Sequence, residues 1–289
     1  MADSEPQCGL LPRWYAESRY LHSGAIGAVS DSVESFMFGQ LFMTPSISTF
    51  RDGNHLSVRF CHLEYPWDRP KAFADPPRTL PQIVRGAFDS TPPEGPAASR
   101  CVVDYTLVGE PAAANIVDDF EQQGFVCERA EDAVMAMTYS SSEAGLAEAP
   151  GAVVRPVKRS EVAQLAECNA RSFGYDRMGD TAWLAPKLAR QLDHPELFHM
   201  HAALVDGEIT SFASVYYARN LAFVQAVGTR PEHQRQGLAA AALSSALAGL
   251  DAGTRVYLDA YEDGPMRMYR RIGFEEVGKI TYADCTSRD

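Results

Sequence analysis

From residue 152 onward the apolar positions change period in a regular order. Ala152–Pro156 is a short strand-like run, and Ser160–Arg171 follows with helical spacing and Ser160 as its expected N-cap. Thr181–Leu192 repeats the helical spacing, with Trp183, Leu184, Leu188 and Leu192 as its apolar stripe. His199–Val205 and Ile209–Tyr217 read as strands joined by Asp206-Gly207-Glu208, a hairpin signal. Leu221–Thr229 is another apolar strand, followed by a polar, glycine-bearing turn and a run of helix formers from Ala239 to Leu250. Arg255–Ala260 reads as a strand, Pro265–Ile272 as a short helix with proline near its first turn, and Phe274–Ala283 as a final strand or hairpin. The predicted order is β-α-α-β-β-β-α-β-α-β.

The first half is less legible. A proline-rich zone from Pro66 to Pro96 predicts a long surface excursion with a short helix near Leu80–Phe88. Cys101–Tyr105 and Ala133–Met137 are strand-like. Between them, Phe120-Glu-Gln-Gln-Gly124-Phe125 echoes Tyr269-Arg-Arg-Ile-Gly273-Phe274 at half the chain length. Each copy has an aspartate-bearing strand upstream, with Asp104 or Asp259, and another strand downstream. A helix–Gly–Phe–strand device is common, because glycine supplies a left-handed C-cap. Its recurrence at half-length nevertheless suggests a duplicated unit. The small, polar stretch Tyr139–Gly151 reads as a linker, which predicts two domains, 1–149 and 150–289.

Composition narrows the class. At 289 residues, 46% apolar and 22% charged, the chain can bury a proper core. No apolar run is long enough to span a bilayer, and the acidic N-terminus does not read as a leader. Six scattered cysteines without a C-x-x-C pair predict neither a zinc site nor a disulfide framework, hence a cytoplasmic setting. The net charge of −12 is uneven: residues 1–149 carry 10 basic and 21 acidic side chains, a net −11. Such a surface repels nucleic acid and anionic lipid and favours cationic partners.

The turn Gln234-Arg235-Gln236-Gly237-Leu238-Ala239 joins a strand to a helix. Unpaired backbone N–H groups and the positive end of the helix dipole there make a seat for a pyrophosphate. Gly237 lets backbone approach the phosphates, Gln234 offers a side-chain donor, and Arg235 or Arg230 adds charge. No Walker Lys-Ser/Thr follows the glycine.

Strand 221–229, the Gln234-x-x-Gly237-x-Ala239 turn, the Tyr269-x-x-x-Gly273-Phe274 element and the element order together resemble the GNAT superfamily of N-acetyltransferases over residues 152–283. The resemblance implies an α/β (α+β) fold of two GNAT-like domains, each a mixed, mostly antiparallel twisted sheet flanked by helices, the N-terminal one a degenerate copy. It implies acetyl-CoA as co-substrate, its pyrophosphate on Gln234, Arg235, Gln236, Gly237, Leu238 and Ala239. The pantetheine arm lies along the backbone of Val227 and Thr229, and the thioester carbonyl meets an N–H near Ala226–Val227. Tyr269 matches the tyrosine that protonates the departing thiolate, and its first-half counterpart Phe120 has no proton to give.

The base is not identifiable in the sequence. A lysine-like amine is neutral in only about 1 molecule in 2,500 at pH 7, roughly 4.6 kcal/mol uphill. The usual strand positions carry Phe223 and Gln225. His199, His201, Asp259 and Glu262 are nearby carriers of basic groups, each with a structural reading as well, and water-relayed proton removal is an equal alternative. Glu262 also stands where many relatives have asparagine. His194, His199 and His201 lack a carboxylate or thiolate to complete a metal site. Ser23–Gly27 reads as a glycine-containing turn, Asp118-Asp119 as a solvated helix face, and Tyr216 or Tyr217 as part of an acceptor pocket. The expected activity is acetyl transfer to a small-molecule or peptide amine of cationic character by direct attack in a ternary complex. The alternative is a coenzyme-A-binding protein that acts through protein interaction.

Overall fold

The computed structural model describes residues 12–30, 32–36, 39–43, 55–59, 100–106, 117–140, 149–178 and 181–287. The proline-rich zone and most of the expected linker lie outside these residues.

Among the described residues eleven strands form one sheet: β1 (Ser32–Phe36), β2 (Gly39–Met43), β3 (His55–Arg59), β4 (Arg100–Asp104), β5 (Phe125–Thr138), β6 (Val153–Pro156), β7 (Phe198–Val205), β8 (Glu208–Ala218), β9 (Leu221–Thr229), β10 (Arg255–Ala260) and β11 (Glu275–Ser287). Their spatial order is β1-β2-β3-β4-β11-β5-β10-β9-β8-β7-β6, so the sheet is continuous across the expected boundary near residue 149. The last strand of each half sits beside the other half: β5 pairs with β10, and β11 pairs with β4. Outward from the central β5–β11 pair, the same partner relations recur on both sides, antiparallel, parallel, antiparallel, antiparallel.

The helices are α1 (Arg13–Gly27), α2 (117–122), α3 (Val162–Phe173), α4 (Tyr175–Met178), α5 (Leu184–Leu192), α6 (Leu238–Leu247) and α7 (Asp263–Ile272). One apolar core joins α1, α3 and α5 to one face of the sheet through Leu21, Leu165, Leu188, Phe212 and Phe223. A second core joins α6 and α7 to the other face through Leu243, Leu247, Leu258, Tyr269 and Phe274. The predicted order from residue 152 holds, with α4 as an added short turn. The Asp206-Gly207 loop has φ of 52° and 84°, as a two-residue hairpin turn of the primed type requires.

Three expectations need correction. Ser160 lies inside a 3₁₀ turn that precedes α3; the capping carboxylate is Glu161, which accepts the Lys158 N–H at 2.9 Å. Ser23–Gly27 is not a turn but the C-terminal part of α1, because its small residues pack closely, Gly24 against Tyr216. A disulfide joins Cys127 to Cys285, directly opposite one another on β5 and β11. Their separation of 158 residues hid the pair from spacing arguments, and the inference from scattered cysteines to a reducing compartment loses its premise. Among the described residues no helix is long and apolar enough to cross a membrane.

Candidate functional site

The site begins where two parallel strands part. β9 pairs with β10 only at Leu221, Ala222 and Phe223, opposite Arg255, Val256 and Tyr257. Beyond Phe223, β10 stays with β5 through Leu258, Asp259 and Ala260, while β9 stays with β8. A β-bulge helps the separation: Ser214 opposes Ala226 and Val215 opposes Val224, so Gln225 has no partner residue.

Register fixes what the open edge of β9 offers. Arg230 donates its N–H to Thr210 O at 2.9 Å, which makes residues 210 and 230 a hydrogen-bonded pair. Alternation then makes Phe212/Gly228 and Ser214/Ala226 hydrogen-bonded pairs too, and leaves Ala213/Val227 and Ser211/Thr229 as the others. The N–H and C=O of Val227 and Thr229 therefore point away from β8, into the opening. Gln234 Nε2 reaches Thr229 O from that side at 3.5 Å. Gly228 permits close packing on the opposite face: a Cβ there would stand 2.7 Å from the Phe212 ring and 2.8 Å from Ser172 Cβ.

At the end of β9 the chain passes through a 3₁₀ turn, Pro231–His233, into the 234–239 segment. Arg235 has φ of 63°, a left-handed conformation that costs a non-glycine residue about 1–2 kcal/mol, and Gly237 caps α6 at φ 81°. The backbone N–H groups of Gly237, Leu238, Ala239 and Ala240 have no acceptor among the described residues; Ala241 is the first to bond back, to Gly237 O at 3.0 Å. Gln234, Arg235, Gln236 and Gly237 are exposed. Of the two arginines expected to add charge, Arg230 is buried and paired with Glu208 at 3.2 Å and Glu167 at 3.6 Å. Arg235 is exposed on the turn.

Tyr269 lies on α7, on the face that carries α6, with its ring edge-on to Phe274 at 5.9 Å. Burial, with Tyr261 nearby, pushes its phenol up to about 12, and the hydroxyl has no hydrogen-bond partner among the described residues. The corresponding Phe120 meets Phe125 in the same edge-on manner at 5.1 Å.

The other sequence candidates sort as follows. Asp118 and Asp119 are exposed on α2. His199 and His201 face α6, where His199 Nδ1 lies 3.4 Å from Ala246 O and His201 Nδ1 lies 2.8 Å from Ser245 Oγ. Burial, with His199 nearby, holds His201 down at about 4. No group of residues suited to a metal ion occurs among the described residues. Gln225 is engaged by Gln191, whose Nε2 donates to its Oε1 at 2.6 Å. Tyr216 belongs to the α1 face, whereas Tyr217 turns to Asp251, donating at 3.0 Å. Glu262 is exposed at the start of α7.

Sequence reasoning missed the contribution of α1. Arg19, buried, makes a two-pronged pair with Asp259 on β10 at 2.6 and 2.7 Å. His22 lies one helical turn further on; its Nδ1 is 3.8 Å from Asp259 Oδ2 and its ring is edge-on to Phe223 at 5.5 Å. Glu17 takes hydrogen bonds from Tyr257 Oη at 2.6 Å and from Arg255. The spacing of Glu17, Arg19 and His22 was visible, but nothing local indicated that β10 would receive them.

Residues 162–274 match the family model described as Acetyltransferase (GNAT) family. They form a GNAT-family acetyltransferase domain. The match places the protein among the acyltransferases. Among solved structures, a GCN5-related N-acetyltransferase from Kribbella flavida is 18% identical with a TM-score of 0.57, over 93% of this chain and 95% of that one. Its counterpart from Sphaerobacter thermophilus is also 18% identical with a TM-score of 0.57, over 94% and 90%. A functionally unknown conserved protein from Staphylococcus epidermidis is 11% identical with a TM-score of 0.58, over 89% and 94%. At these identities the likeness is one of fold, and it extends well beyond the GNAT domain. No curated protein matches the chain.

Proposed function

We propose that the protein transfers the acetyl group of acetyl-CoA to an amine by direct attack in a ternary complex. The observation that carries this reading is the parting of β9 from β10 beside the N-terminus of α6. There an open strand edge with Val227 and Thr229 facing outward runs up to four unpaired N–H groups. That arrangement fits a long ligand with an amide-bearing arm and a pyrophosphate end. Gln234, Arg235, Gln236, Gly237, Leu238 and Ala239 would hold the pyrophosphate, and the Val227 N–H would donate a hydrogen bond to the thioester oxygen as negative charge develops on it. Acetyl-CoA supplies an acetyl group activated toward nitrogen. Tyr269, protonated throughout the working pH range, donates a hydrogen bond and then a proton to the departing sulfur.

We further infer that residues 1–149 are a degenerate copy of residues 150–289. The mirrored strand relations and the matching Phe120–Phe125 and Tyr269–Phe274 contacts support this. In the first half, β3 stays paired with β4 through Arg59 and Asp104, the last residue of each strand, so the equivalent opening is closed. The acidity of this half favours a cationic acceptor.

A thiol-release assay with acetyl-CoA and a panel of putrescine, spermidine, tyramine and a lysine peptide tests the reading, alongside calorimetry with coenzyme A. Turnover that drops about 10²-fold in Tyr269→Phe, with cofactor affinity kept, supports it. Tight binding without thiol release on any amine favours the coenzyme-A-binding alternative. Absence of binding removes both.

A further inference from the structure

We propose that His22 is the base that takes the proton from the acceptor amine, with the Arg19-bound carboxylate of Asp259 beside its ring. The inference rests on the acetyltransferase reading above and concerns the group that β9 itself lacks.

Phe223 and Gln225 occupy the strand positions nearest the opening, and neither can accept a proton; Gln225 is moreover tied to Gln191. His22 stands above the same point on the α1 face. It bridges the two strands where they separate: Phe223, under its ring, is the last β9 residue paired with β10, and Asp259 lies just past the parting on β10. Tyr269 is on the opposite face. A base on one face and an acid on the other is what direct attack requires. The amine enters from the α1 side and the sulfur leaves toward α7.

Arg19 fixes the Asp259 carboxylate by two hydrogen bonds, and that carboxylate lies 3.8 Å from His22 Nδ1, beyond hydrogen-bond reach, so its charge rather than a bond favours a proton on that nitrogen. The opposite ring nitrogen, Nε2, is then the one suited to receive a proton. The imidazole side chain is 42% exposed, so a substrate can reach it, whereas Arg19 and Asp259 are 8% and 15% exposed. Other groups set its surroundings. Asp132 on β5 interacts with Asp259 and Arg19, and burial, reinforced by Asp259, raises its carboxyl. Tyr282 on β11 donates to Asp132 at 3.2 Å. Phe223 on β9 is apolar.

The step balances as follows. The nitrogen lone pair of the acceptor forms the C–N bond to the acetyl carbon, and the C–S bond gives its electron pair to sulfur. The nitrogen's proton passes to Nε2 of His22 and then to water. The sulfur takes the proton of Tyr269, which solvent restores. His22 is thus a catalytic residue, and Asp259 and Arg19 are positioning residues.

The test compares wild type with His22→Gln and Asp259→Asn, using acetyl-CoA and the four amines from pH 6 to 10, coenzyme A calorimetry, and NMR titration of the His22 ring. His22→Gln is expected to keep its melting temperature and to hold coenzyme A within about twofold. It is also expected to lose roughly 10²–10⁴-fold in kcat and the rising acid limb of the pH profile. Asp259→Asn removes a negative charge beside the imidazole, so both the limb and the ring titration move to lower pH by about one unit. If that variant does not fold, His22→Gln still decides. Near-normal kcat with an unchanged acid limb in His22→Gln overturns the proposal. If coenzyme A binds but no amine turns over, a ring titration unmoved by Asp259→Asn overturns it and a downward shift supports it. Failure of the wild type to bind coenzyme A removes the parent reading, and this one with it.

Discussion

Cys127 is bonded to Cys285 across the central strand pair, linking the last strand of the first half to the last strand of the second. Cys101 lies next to Cys285 on its other side, buried as a free thiol whose ionisation is strongly suppressed by that burial. The bond therefore closes a loop of more than half the chain and has no reactive thiolate beside it. Long closed loops gain most from a cross-link, in principle about 5 kcal/mol here and typically 2–4 in practice. Cys285→Ser, or reduction of the wild type, is expected to lower the melting temperature by roughly 5–10 °C. Coenzyme A affinity should be unchanged, since Cys127 lies on the part of β5 that precedes its pairing with β10, away from β9. An unaltered melting curve on complete reduction contradicts this.

Gly237 combines a left-handed backbone with an exposed place at the head of α6. Gly237→Ala should cost about 1 kcal/mol of stability for the backbone, and a larger penalty for the ligand, because a side chain at a left-handed position strains the turn that carries the donors. The expected result is a coenzyme A dissociation constant raised tenfold or more, with the loss concentrated on the pyrophosphate. Dephospho-coenzyme A, which retains the pyrophosphate, should lose affinity in the same proportion; pantetheine, which lacks it, should not. Equal weakening for all three ligands counts against a pyrophosphate seat.

His201 supplies a pH signature of its own. Its folded-state value of about 4 lies below the ordinary 6.5 of histidine. Between those values the unfolded chain binds a proton that the folded protein does not. The contribution is therefore fully present above about pH 6.5 and is lost as pH falls toward 4, on the order of 1–3 kcal/mol. His201→Gln retains a partner for Ser245 and should flatten this part of the stability curve in urea titrations. A parallel curve for the variant between pH 4 and 6.5 refutes the assignment.

The second half was legible because each element carries its own signal. Leu221–Thr229 and Arg255–Ala260 were bounded to the residue, since each is a compact apolar run set off by polar or glycine-bearing turns. The glycine turn before α6 was legible because backbone geometry at a helix start is local. What the sequence concealed was long-range. β5 was expected over Ala133–Met137, yet it runs from Phe125 to Thr138 because it is paired along both edges, by β10 and by β11. The same exchange of strands joins what looked like separate halves. His22 and Arg19 carried no local signal, because their partner Asp259 is some 240 residues away.

The open edge of β9 allows a test that separates the two directions of its backbone. Val227 is in a non-hydrogen-bonded pair with Ala213, so its N–H faces the opening; Ala226 is in a hydrogen-bonded pair with Ser214, so its N–H serves the sheet. Proline fits an edge position whose N–H is not used by a neighbouring strand, and disrupts one whose N–H is. Val227→Pro is expected to fold, with only a modest fall in melting temperature, while removing the donor for the thioester oxygen. kcat should drop by about 10²–10³-fold. Ala226→Pro breaks a ladder bond beside the bulge and should lower stability by about 3 kcal/mol or more. The measurement is a pair of melting curves with turnover on the same amine. If Val227→Pro unfolds while Ala226→Pro does not, the register at this edge is inverted and Val227 is not the donor.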